Sequence, residues 1–113
     1  SLNIEEDLFC RGYKSCATTS IESTGTAYCV GNEACADSQT FTAKSINCYG
    51  DTACSGAVSM EATSGSIVCS GILGCADVSG DLKAANDVLC EGVGSCSGLA
   101  GSIISAGTVS CGG

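Results

Sequence analysis

Apolar and polar residues alternate along this chain in short bursts, each centred on a cysteine. Two residues before the first cysteine of every burst stand Leu8, Ala27, Ile46, Ile67, Val88 and Val109, and two residues after it stand Gly12, Gly31, Gly50, Gly71, Gly92 and Gly113. Apolar, any, Cys, any, Gly is the period of a strand with one inward face, ending at a residue free to take φ > 0. A second apolar position, seven to nine residues before the next first cysteine, holds Ile21, Phe41, Met60, Leu82 and Ile103. Four residues before most first cysteines there is a turn residue, Gly25, Gly65, Asn86 or Gly107, with Lys44 as the exception.

The bursts are copies of one unit. CRGYKSC (10–16), CVGNEAC (29–35), CYGDTAC (48–54), CSGILGC (69–75) and CEGVGSC (90–96) all read C-x-G-x-x-x-C, and a sixth begins at Cys111. First cysteines lie 19, 19, 21, 21 and 21 residues apart, so the unit lengthens midway, between a second cysteine and the next turn. Three strand-like stretches separated by turns in about 20 residues predict one coil of an all-β, parallel β-solenoid (β-helix). Stacking about five coils of 19–21 residues, with partial coils at 1–9 and 111–113, accounts for residues 1–113 as a single domain. A helix is excluded because glycine and β-branched residues fill the positions where it would place Ala, Leu and Lys.

Composition makes the core thin. With two Phe, three Tyr, no Trp and 11 Cys in 113 residues, the chain has little aromatic mass but a cysteine share typical of disulfide scaffolds in oxidising compartments. Zinc would prefer shorter C-x₂₋₄-C spacings and usually some His, and the chain has no His. Two disulfide patterns are geometrically open, between stacked cysteines of adjacent coils or around a corner within one coil. Pairing within each coil treats all repeats alike: Cys10 with Cys16, Cys29 with Cys35, Cys48 with Cys54, Cys69 with Cys75, and Cys90 with Cys96. It leaves Cys111 unpaired or intermolecular. A loop of about seven residues is worth roughly 2 kcal/mol on the loop-closure model, so such staples rival the core in deciding whether the chain folds.

Charge and chemistry narrow the function. Four basic against twelve acidic residues give a net charge of −8, which disfavours nucleic acid and anionic membrane surfaces. No apolar run is long enough to insert into a membrane, and SLNIEEDLF lacks the regions of a signal peptide. Without histidine, a G-x-S-x-G serine or a carboxylate ladder, no catalytic site and no cofactor are expected. Asp37 and Asp77 share the slot two residues after the second cysteine, and a weak surface calcium site near Asp77 and Asp81 is the one metal alternative. The outward residues flanking the first cysteines are more informative. Phe9, Tyr28, Val30, Tyr49, Val68 and Leu89 would form an apolar patch on a flat wall, of the kind that marks an interaction face.

The cadence of INCYGDTACSG and VLCEGVGSCSG resembles cysteine-rich β-helical repeats of secreted or surface proteins in algae and other protists, over residues 8–113. The resemblance implies an extracellular structural protein. The partial coils at both ends lack capping elements, which predicts either a piece of a longer repeat protein or self-association, end to end or lateral, in a filament or at a surface. A flat-faced module binding carbohydrate, with Tyr28 and Tyr49 as stacking platforms, or ice is the alternative. The scatter of Thr18, Thr19, Thr40, Thr42, Thr52 and Thr108 argues against ice. A polysaccharide-active enzyme is a third, weaker reading.

Overall fold

The computed structural model describes residues 2–14, 16, 20–37, 39–94, 101 and 103–111. Among them the regular elements are all strands: β1 (Leu2–Ile4), β2 (Leu8–Arg11), β3 (Ile21–Ser23), β4 (Thr26–Val30), β5 (Thr40–Ala43), β6 (Ser45–Tyr49), β7 (Ser59–Ala62), β8 (Ile67–Ser70), β9 (Leu82–Ala84), β10 (Val88–Glu91), β11 (Ile103–Ser105) and β12 (Val109–Cys111). Odd-numbered strands form one six-stranded sheet and even-numbered strands another, each in chain order. Every pairing is parallel and joins a strand to its equivalent in the next coil. The chain is therefore an all-β parallel solenoid.

The hydrophobic columns are its interior. In the even sheet Leu8, Ala27, Ile46, Ile67, Val88 and Val109 are successive register partners, with the first cysteines as a second column one strand period away. In the odd sheet Ile21, Phe41, Met60, Leu82 and Ile103 stack in the same way. Phe41, Ile46, Met60, Ile67 and Leu82 are fully buried. Each coil covers the apolar edge of its neighbour, which a single coil could not do alone.

The third side of the coil differs from the expected strand. After each first cysteine the backbone turns at Gly12, Gly31, Gly50, Gly71 or Gly92, all with φ between 100 and 125°, and two residues later enters the left-handed region at Lys14, Glu33, Thr52, Leu73 and Gly94. Alternate amides there reach the next coil, as in Glu33 N–H to Asp51 O (3.1 Å) and Cys35 N–H to Ala53 O (2.6 Å). The amides between them close i→i−3 turns within the coil, as in Ala34 N–H to Gly31 O (3.4 Å) and Ala36 N–H to Glu33 O (3.2 Å). A disulfide closing seven residues leaves too little chain for an extended wall, so this side is a stack of turns whose backbone polar groups still find partners.

The extra residues of the longer coils are also placed by these bonds. Ser64 and Gly65 both donate to Lys44 O, at 3.2 and 2.8 Å, so two residues oppose one at the corner between β7 and β8. Part of the lengthening therefore lies in that turn rather than ahead of it. At the same corner in other coils, acidic and hydroxyl side chains tie one coil to the next. Asp7 Oδ1 accepts from Thr26 N–H and Asp87 Oδ1 from Thr108 N–H, both at 2.8 Å. The Ser23 hydroxyl donates to Glu6 O (2.7 Å) and accepts from Gly25 N–H (3.2 Å). Gly25 and Gly107 are glycines for want of space: a Cβ there would stand 2.3 and 2.2 Å from the Oδ1 of Asp7 and Asp87.

Candidate functional site

Two features stand out from the framework: a buried column of sulfur and an exposed apolar face. In each of four coils the first and second cysteines are disulfide-bonded, Cys10 to Cys16, Cys29 to Cys35, Cys48 to Cys54 and Cys69 to Cys75, with Cα separations of 5.8–6.0 Å. The strand supplies the first cysteine, inward by its period, and the glycine turn brings the second back beneath it. Cys96 and Gly113 lie outside the described residues. Cys111 pairs in register with Cys90 on β12, and its side chain lies outside them too. Neighbouring bridges approach closely: the Sγ atoms of Cys10, Cys16 and Cys35 lie within 4.8 Å of one another, as do those of Cys29, Cys35 and Cys54, and of Cys48, Cys54 and Cys75. Bonded as disulfides, these sulfurs have no thiolate to offer a metal.

The outer face of the even sheet carries the apolar patch in two columns. Phe9, Tyr28, Asn47, Val68 and Leu89 are register partners in one, and Arg11, Val30, Tyr49, Ser70 and Glu91 in the other. Phe9 is 57% exposed and Val30 and Tyr49 are exposed, while Tyr28, Val68 and Leu89 are half-buried. The Phe9 and Tyr28 rings stack 4.9 Å apart at 7° from parallel, with the Arg11 guanidinium 5.8 Å from the Phe9 ring centre. Those rings cover one another, so Tyr28 has one face less to offer a sugar. A further exposed column escaped the pattern reading: Tyr13, Ile72 and Val93 share the slot three residues after the first cysteine, on the turn side. The recurrence of that slot was the available signal, hidden because Asn32 and Asp51 interrupt it.

Three aspartates accept backbone amides of the next coil. Besides Asp7 and Asp87, Asp51 Oδ1 lies 3.4 Å from the Ile72 amide it accepts from. Glu33 pairs with Lys14 at 3.9 Å and Glu61 with Lys83 at 4.0 Å. Asp37 and Asp77 share their slot for a backbone reason: both have φ in the left-handed region, 56 and 58°, and Gly56 between them has φ 75°. Aspartate tolerates that conformation better than most residues. Among the described residues, groupings of three or more potential metal ligands are made of cysteine alone, and Asp77 and Asp81 do not join one. No helix of the described residues is long and apolar enough to cross a membrane.

Comparison with protein-family models, with curated proteins and with solved structures finds no match for this chain. The fold and site define its class, a disulfide-stapled parallel β-solenoid.

Proposed function

We propose that this chain is an extracellular structural repeat, a stiff acidic unit that associates with copies of itself and performs no catalysis. Its multiple disulfides fit an oxidising compartment such as the cell exterior. The observation that carries the reading is the ladder on all three sides of the coil. Both sheets and the turn wall bond each coil to the next in one repeated register, so an identical coil can be added without a new kind of contact. The exposed apolar residues on the outer face of the even sheet, Phe9, Val30 and Tyr49, supply a lateral contact.

Sedimentation velocity and electron microscopy test this over a range of protein concentration and salt. Concentration-dependent oligomers or fibres are expected, increasing as salt screens the −8 charge. A single monomer species at every concentration and ionic strength refutes the reading.

A further inference from the structure

We propose that the sulfur column conducts thiol–disulfide exchange along the solenoid axis, so that reducing one bridge converts staples within coils into ties between coils. This goes beyond the assembly reading and does not depend on it. It rests on the three close sulfur groups. In each, both sulfurs of one bridge have a third sulfur within 4.8 Å, and that third sulfur is the second cysteine of the next coil: Cys35 beside Cys10–Cys16, Cys54 beside Cys29–Cys35, Cys75 beside Cys48–Cys54. Each of those neighbours belongs to the next bridge. A thiolate released at any of them therefore already stands near a disulfide, held there by the backbone bonds of the turn wall, so that side-chain rotation rather than an encounter between distant parts of the chain brings it into line for exchange.

The steps balance. An external dithiol or phosphine supplies two electrons to Cys69–Cys75, breaking that S–S bond and leaving a Cys69 thiol and a Cys75 thiolate. The Cys75 thiolate attacks Cys48 Sγ. A Cys48–Cys75 bond forms, the Cys48–Cys54 bond breaks, and the electron pair leaves on Cys54. Cys54 then attacks Cys29 and releases Cys35, and Cys35 attacks Cys10 and releases Cys16. Each step exchanges one disulfide for another and consumes no further electrons. The result is Cys10–Cys35, Cys29–Cys54 and Cys48–Cys75, with thiols at Cys69 and Cys16. Burial disfavours a thiolate, and Cys16, at 8%, is more exposed than the fully buried Cys35, Cys54 and Cys75, so the charge is best solvated at the end of that path. Bridges between consecutive coils resist peeling of one coil from the next, which bridges inside a coil do not.

Limited reduction of the oxidised protein tests this. A substoichiometric phosphine at pH 8 is followed by alkylation, acid quench, peptic digestion and mapping without reductant. Peptides joined Cys10–Cys35, Cys29–Cys54 or Cys48–Cys75 are expected, with matching loss of the native pairs and more label on Cys16 than on Cys35 or Cys54. Label confined to the two cysteines of a single coil, all other native pairs being intact, overturns the proposal. So do pairs that skip a coil, such as Cys10–Cys54, because they report exchange through an unfolded chain. A Cys69→Ser variant creates the starting thiol without reductant. Its label should move from Cys75 toward Cys16 during incubation at pH 8 and not at pH 4, and label that stays on Cys75 argues against exchange. Should that variant not fold, the limited reduction of the unmodified protein decides.

Discussion

Replacing Gly71 by alanine should damage this fold more than its size suggests. Gly71 has φ 113° and stacks on Gly50, so a Cβ there would lie 2.6 Å from Gly50 O and 2.8 Å from Gly50 C. Neither atom can give way cheaply. Gly50 O accepts from Ala53 N–H (3.3 Å), and Gly50 N–H donates to Ser70 O (3.0 Å). The backbone conformation costs an L-residue about 1–2 kcal/mol, and overpacking against a fixed neighbour adds about 1–3 kcal/mol. The loss is then roughly 2–5 kcal/mol, and at about 4–8 °C per kcal/mol for a chain of this length Tm should fall by about 8–40 °C. Two controls divide that sum. Ser70→Ala, on the outer side of β8, should change stability by no more than about 0.5 kcal/mol. Gly12→Ala keeps the positive φ of 100° but meets nothing within 4 Å. It should therefore show only the conformational part, about 1–2 kcal/mol. The assay is thermal and urea unfolding without reductant. Equal midpoints for Gly71→Ala and Gly12→Ala would refute the stacked-glycine argument, and equality of both with Ser70→Ala would refute the corner conformation as well.

The bridges and the left-handed turn positions allow two further predictions. Cys48→Ala/Cys54→Ala removes one staple from the middle of the stack and should lower unfolding free energy by about 2 kcal/mol in urea titration; no loss would mean that the bridges contribute little beyond packing. Leu73, exposed with φ 55°, occupies the slot held by Gly94 in the next coil. Leu73→Gly should leave stability unchanged or raise it by up to about 1 kcal/mol, and Leu73→Val should lower it by about 1–2 kcal/mol, because a β-branched residue fits that conformation poorly. A more stable Val variant in thermal unfolding would contradict the assigned backbone.

The sequence by itself determined the columns. Two-residue periodicity assigns a face to each position without knowledge of the neighbours, so the rows of Leu8 to Val109 and Ile21 to Ile103, the first cysteines and the turn glycines could be read directly. Repetition about every 20 residues then required stacking, because one coil cannot bury its own apolar edge. The outer positions of Phe9, Tyr28, Val30, Tyr49, Val68 and Leu89 follow from the same alternation.

Only the tertiary structure decided what depends on contact between coils. Stacked cysteines about 4.8 Å apart and cysteines six residues apart around a corner both meet the reach of a disulfide, so spacing left the bonding open to the geometry of the turn. Three strand-like stretches per coil are expected from the sequence and two are strands, the third side being a turn in which Lys14, Glu33, Thr52 and Leu73 share no residue type that announces positive φ. Their conformation is imposed by the bridge that closes the coil and by amides reaching the next one, not by their own propensity. The doubled opposition of Ser64 and Gly65 to Lys44, and the mutual covering of the Phe9 and Tyr28 rings, arise in the same way. Each is a relation between residues about twenty apart, and local pattern carries no information about which of two neighbouring coils will bend to accommodate the other.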